Sequence, residues 1–201
     1  IAGGSTPSNL NVIEYITIAT TGDGTDFGDI RAQRASPSVC SSSTRAIVAG
    51  GYHSTYHNNI DYVTISSGGG ASTFGELVSP TGYGGACASS TRGIIAGGWN
   101  LRGTTGPASA NDPRNNNIIE FVTIASTGNA SYFGDLVAYR QTDGGLSSPT
   151  RGIFAGGATY GPPGNYPGYK DTQVIDYITI ASTGNAIQFG NLVHNIGWGS
   201  G

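Results

Sequence analysis

The sequence predicts an all-β protein built from repeated four-stranded antiparallel blades, and three observations carry that prediction. An Ala-Gly-Gly landmark recurs at Ala2, Ala49, Ala96 and Ala155. A Phe-Gly cluster closed by Asp, Glu or Asn recurs at Phe27, Phe74, Phe133 and Phe189, the rings lying 47, 59 and 56 residues apart. A period in this range marks stacked or radially arranged repeats. Composition is the third: 34 glycines, 37% apolar and 10% charged residues, and no helical periodicity, so strands and turns take the length.

Each unit reads as four strands. The first is short and rich in small residues, at 38–42, 85–89 and 144–148. A tight turn ending in Arg45, Arg92 or Arg151 leads into the second strand, which closes on the Gly-Gly pair. The third, at 12–18, 59–65, 118–124 and 174–180, is apolar on both faces except at one acid, as suits a strand covered on both sides. The fourth carries the Phe-Gly cluster. Between the third and fourth lie Thr-Gly-Asp, Gly-Gly-Gly and two Thr-Gly-Asn turns, residue types that tolerate the positive φ of a tight hairpin. A single sheet of this kind must cover its faces with its neighbours, and radial stacking gives a propeller. The predicted units are a partial blade at 1–30, blades at 31–78, 79–137 and 138–193, and at 194–201 the start of a further blade or a closing strand. The chain opens inside a second strand and contains no methionine, so it reads as a fragment. Further blades or a partner chain are expected at the seam.

This order, in which Gly-Gly is followed by a loop, an acid-aromatic strand, a Thr-Gly turn and an aromatic, resembles the kelch repeat. Phe27, Phe74, Phe133 and Phe189 stand where that repeat has a Trp. The wording at 178–186 and 147–157 is similar to repeats in structural proteins of marine bacteriophages, above all those infecting cyanobacteria. The resemblance implies a kelch-like β-propeller and a non-enzymatic virion or extracellular module. A tail fibre or receptor-binding propeller contacting a host-surface glycan or protein fits best, with a scaffold for other virion proteins as the alternative. A glycan-active or oxidase-type enzyme is a weaker alternative.

The chemistry-bearing residues favour that order. The net charge is −3 with one lysine, which argues against a nucleic-acid partner. No apolar run is long enough for a membrane helix. Cys40 and Cys87 share a first-strand position that Leu146 fills in the next unit, which reads as a small apolar site with inert thiols; a disulfide between adjacent blades is the alternative. The repeated arginines at 45, 92 and 151 and the acids Glu14, Asp61, Glu120 and Asp176 read as structural pairs, because residues repeated in every blade do not define one asymmetric site. His53 and His57 have a spacing a metal could use, but their loop holds no Asp or Cys, so no metal and no cofactor is expected. Asn129 matches a glycosylation acceptor but falls where the hairpin calls for a turn residue.

In a meander the second-to-third and fourth-to-first connections share one face of the stack. Here they differ in length, at 52–59, 99–117 and 158–173, and variable loops on a rigid scaffold are where binding usually resides. The candidate contacts are Tyr52, His53, Tyr56 and His57 in the first loop and Trp99 and Arg102 in the second. Tyr160, Tyr166, Tyr169 and Lys170 belong to the third, and Tyr139 and Arg140 to a fourth-to-first connection, with Tyr83 and Trp198 nearby. Aromatic and hydrogen-bonding side chains on a Ser/Gly/Asn surface suit sugar stacking or protein contact. Oligomerisation stays open.

Overall fold

A computed structural model describes residues 1–100, 116–142, 144–160 and 169–197. These residues form strands and turns and no helix. The first unit contributes β1 (Val12–Tyr15) and β2 (Thr25–Asp29), with Ala2 bridged to Ile13. The second unit is a meander of β3 (Ser38–Ser41), β4 (Arg45–Ala49), β7 (Asn59–Thr64) and β8 (Ser72–Glu76). A small hairpin, β5 (Tyr52–His53) and β6 (Thr55–Tyr56), occupies its second-to-third loop. The third repeats the meander in β9 (Gly85–Ala88), β10 (Arg92–Ala96), β11 (Ile118–Thr123) and β12 (Ser131–Asp135).

The fourth unit has β13 (Gly145–Ser147), β14 (Arg151–Ala155), β16 (Tyr169–Thr179) and β17 (Ile187–Ile196). Its 158–173 connection was expected as a loop, but β15 (Ala158–Tyr160) pairs with the start of β16, which begins well before the repeated motif. The longer β16 gives β17 a partner beyond residue 193, with Thr172 opposite Ile196, so 194–196 continue the fourth strand instead of opening a new unit.

Register repeats with the sequence. Ile47, Ile94 and Ile153 lie opposite Tyr62, Phe121 and Tyr177. In all four units a bulge falls just before the strand-three acid: Ile13/Glu14, Ile60/Asp61, Ile119/Glu120 and Ile175/Asp176. A bulge bends its strand and re-aims the next side chain, which gives the acids a place that simple alternation would not.

The core lies between sheets. One cluster joins Ile47, Ile60, Phe74 and Leu77 of the second unit to Ile95, Val122 and Ile124 of the third. Another joins Ile94, Ile119, Phe133 and Leu136 of the third to Phe154, Ile178 and Ile180 of the fourth. Ile13 and Ile30 meet Val48 and Val63 in the same way. The strand-three and strand-four rings form one T-shaped pair per unit, Tyr15–Phe27, Tyr62–Phe74, Phe121–Phe133 and Tyr177–Phe189, with centroids 6.0–6.1 Å apart.

Backbone hydrogen bonds then tie each third-to-fourth turn onto the fourth strand of the unit before it. Gly69, Gly128 and Gly184 donate to the carbonyls of Phe27, Phe74 and Phe133 at 2.7, 2.9 and 2.8 Å. Ala71, Ala130 and Ala186 donate to Asp29, Glu76 and Asp135 at 2.7, 2.8 and 2.8 Å. This approach is why the Phe is followed by glycine: a Cβ at Gly75 or Gly134 would collide with the carbonyl of Gly128 or Gly184. Asn129 and Asn185 take no positive φ, contrary to the turn role expected of them. Instead their side-chain oxygens accept from Glu76 N and Asp135 N, each at 3.1 Å.

The described residues form no closed ring. Ile16 and Ile18 of the first unit are 60% and 94% exposed, and Leu146 and Phe189 of the fourth are each 57% exposed, whereas the equivalent Phe133 is 2% exposed. The buried environment expected of Leu146 is therefore not found, because no sheet of the described residues covers that face.

Phe133→Ala is expected to destabilise by about 3–5 kcal/mol, the usual cost of deleting a buried large aromatic, and Phe189→Ala by about 0.5 kcal/mol or less, as for a surface site. Denaturant titration of the two variants reads the difference.

Candidate binding surface

The expected convergence of loops is present. Backbone bridges join the fourth-to-first connections to the second-to-third loops at Ala35 with Tyr52, Gly82 with Trp99 and Gln141 with Ala158. The second glycine of each landmark lies at φ +106, +101 and +100 for Gly51, Gly98 and Gly157. The N–H of Gly51 donates to Thr81 at 2.8 Å and that of Gly98 to Arg140 at 2.9 Å, both in the connections, and that of Gly157 to Ile196 at the end of β17 at 2.7 Å. A side chain would be strained at that φ and, at Gly98, would meet Thr81 and Gly82.

The connections are also linked to one another. Tyr83 N donates to Ser36 O at 3.1 Å and Thr142 N to Tyr83 O at 3.3 Å. Ser36 and Tyr83 hold the same left-handed φ, +50° and +59°, a conformation costing about 1–2 kcal/mol for a residue with a side chain. It persists because these inter-unit hydrogen bonds require it.

On this frame sits an aromatic ledge. Tyr52 and Tyr56 face each other across the small hairpin, centroids 5.1 Å apart and tilted by 55°. The Tyr56 ring covers Gly82, where an added Cβ would come within 3.1 Å of it, and Gly82 pairs with Trp99. Tyr52, Tyr56 and Trp99 are each half-buried. His53 is exposed beside them, its Nδ1 3.1 Å from Asn9 Nδ2 of the first unit, and Asn9 also donates to Tyr52 O at 2.7 Å. His57 is half-buried, with Nε2 turned inward and unpaired. Among the described residues no three His, Cys, Asp or Glu side chains gather to hold a metal.

The remaining candidates separate. Tyr139 is 42% exposed, and Lys170 is exposed on β16. Tyr160 and Tyr169 are opposite each other in the β15–β16 ladder. Arg102, Tyr166 and Trp198 lie outside the described residues. Arg140 was expected on the surface and is not: it is 0% exposed, its Nη1 is 3.0 Å from Asp176 Oδ2, and its Nη2 donates to Phe154 O at 3.2 Å.

Arg140 belongs to a set that sequence reasoning misassigned. The strand-three acids do not pair with Arg45, Arg92 and Arg151. Asp61 and Asp176 pair instead with the residue seven places after the Phe of the preceding unit, Arg34 and Arg140; in the remaining junction that place holds Thr81. Arg34 Nη2 donates to Asp61 Oδ2 at 2.7 Å, both buried, with the more exposed Arg31 at 3.6 Å. Burial draws both Arg34 and Arg140 below the usual arginine range, opposed by the facing aspartates. Where that place holds Thr81 the acid is Glu120, whose longer chain reaches Val78 N at 2.9 Å. With no cation there, burial pushes the Glu120 carboxyl up to about 7, partly offset by the backbone N–H groups of Val78 and Ser79. The alternation of Arg, Thr, Arg against Asp, Glu, Asp of the following unit was visible in the sequence.

Arg45 and Arg92 do other work. Each lies over its own strand-three ring, at 4.5 Å from Tyr62 and 4.7 Å from Phe121, and caps strand three of the next unit. Arg45 donates to Ile124 O and Ala125 O at 3.0 and 2.9 Å, and Arg92 to Ile180 O at 2.9 Å. Cys40 and Cys87 are free and buried, each facing a strand-two glycine of the next unit, Gly93 or Gly152. Burial pushes both thiols up to about 12, which leaves them unreactive at neutral pH.

Compared with known proteins, the chain matches no family model, and no curated protein matches it at a significant level.

Two outcomes follow from the buried charges. Arg140→Met should destabilise by about 3–5 kcal/mol by stranding Asp176, while pairing it with Asp176→Leu should recover most of the loss; chemical denaturation of the single and double variants reads this. Glu120 has a folded pKa above its unfolded one, so the native state binds the extra proton. Its stabilisation is full below about pH 4.5 and fades as pH rises through about 7. Glu120→Gln should remove that part of the fall in melting temperature between pH 5 and 8.

Proposed function

We propose that this chain is a kelch-like β-propeller segment serving as a non-catalytic adhesion module of a virion, contacting a host-surface glycan or protein through its loop face. The observation that carries the reading is the ledge of Tyr52, Tyr56 and Trp99, with His53 beside it. Backbone bridges hold Tyr52 to Ala35 and Trp99 to Gly82, and the Tyr56 ring lies over Gly82 of the next unit. Rigid aromatics next to hydrogen-bonding groups suit stacking on sugar rings or docking of a protein loop at low entropic cost. The propeller assignment draws support from three consecutive sheet-to-sheet junctions of one geometry, and the virion setting from the resemblance of the repeat wording. A non-catalytic role is favoured because Asp61 and Asp176 are paired with buried arginines and Glu120 with a backbone N–H inside the junctions.

Trp99→Ala and Tyr52→Ala are expected to lower adsorption to the host cell surface by roughly tenfold or more each, as for hot-spot aromatics, while the cooperative melt is retained. Adsorption unchanged in both, with unchanged melts, would transfer the role to assembly scaffolding.

A further inference from the structure

The two ends of the sheet stack are halves of the junction that already occurs three times inside it. The forward half, on the fourth unit, is the outer edge of β17 with Leu146, Phe189 and Leu192. In the third unit the same places are Cys87, Phe133 and Leu136, all buried. The backward half, on the first unit, is Ile16 and Ile18 with the turn at 22–24. The corresponding Ile178 and Ile180 of the fourth unit are 2% and 1% exposed under the third. Gly190 marks the vacancy most directly. A Cβ there would meet nothing within 4 Å, whereas at Gly28, Gly75 and Gly134 it would strike the turn of the next unit.

Two sequence columns fit these halves to each other. Inside the chain, the acid after Phe-Gly always faces an uncharged turn residue: Asp29 faces Gly70, Glu76 faces Asn129, and Asp135 faces Asn185. The fourth unit alone has an uncharged residue there, Asn191, and the first unit alone has an acid in its turn, Asp23. Joining the ends sets Asn191 against Asp23 and keeps the rule that two carboxylates never meet; any other internal edge would oppose Asp23 with an acid. In the second column, Asp follows Arg (Arg34 with Asp61, Arg140 with Asp176) and Glu follows an uncharged residue (Thr81 with Glu120). The open ends carry Ile196 and Glu14, again an uncharged residue with Glu.

We propose that the forward face of the fourth unit binds the backward face of the first unit of a second copy of this chain, joining copies head to tail through the same junction that joins sheets within a copy. Gly22 and Gly24 then donate to the carbonyls of Phe189 and Asn191, and Asp23 accepts from Asn191 N, as Gly128, Ala130 and Asn129 do on β8, the counterpart of β17. The contact is heterologous, so it propagates unless the rotation closes a ring.

Sedimentation velocity of the 201-residue chain over a wide concentration range tests this. The wild type is expected to gain mass with concentration. Gly190→Val has room in the single chain and no positive φ to strain, so it should stay monomeric with an unchanged melt. Asn191→Asp should weaken association by setting an acid against Asp23, and Asp23→Asn added to it should restore association. A wild type monomeric at every concentration overturns the proposal. So does self-association that Gly190→Val leaves intact, because the contact then lies elsewhere.

Discussion

Everything in this molecule depends on one contact, the seating of a third-to-fourth turn on the outer edge of the preceding sheet. A four-stranded sheet with apolar residues on both faces has no stable existence alone, and its outer edge would offer unpaired carbonyls to any passing strand. The junction meets both needs. The turn amides fill the edge carbonyls, the glycine after each phenylalanine lets the backbones close, and the phenylalanine and its strand-three partner are then covered by the isoleucines of the next unit. Three further devices act at the same place: Arg45 and Arg92 capping the next strand three, buried Arg–Asp pairs, and cysteines against strand-two glycines.

The buried ions show how much the junction specifies. A buried Arg–Asp pair adds little net stability over an apolar pair of the same size, but it is costly to leave half-made. A wrongly paired or slipped sheet would strand Asp61 or Asp176 in the core, so the pairs discriminate among registers that the nearly identical units would otherwise share. Glu120 replaces the cation with backbone N–H groups and a proton, which gives its junction a pH dependence near neutrality.

Much of this was legible in the sequence. The Ala-Gly-Gly and Phe-Gly columns marked the repeat and its antiparallel four-stranded meander, because each reflects a backbone or packing constraint that must recur. What stayed hidden were interactions between a residue in one unit and a differently placed residue in the next. Arg140 looked like a loop contact because it falls in a fourth-to-first connection beside Tyr139; its burial goes with the bulge before Asp176, which leaves no mark in a one-dimensional pattern. Asn129 and Asn185 looked like turn formers, yet their side chains serve the neighbouring sheet. The hairpin at 52–56 hid inside a loop because its two-residue strands are too short for alternation to register.

The claim that the junction governs the structure is tested most directly by amide hydrogen exchange in dilute solution. The amides of Gly128, Ala130, Gly184 and Ala186, which cross between units, should exchange as slowly as those inside β10 and β11, opening only with the whole stack. Their counterparts Gly22 and Gly24, in the same sequence context but against no sheet of the described residues, should exchange at nearly unprotected rates in the 201-residue chain. Equal protection of the two groups, or fast exchange at Gly128 and Gly184 while the strand interiors stay protected, would contradict the account.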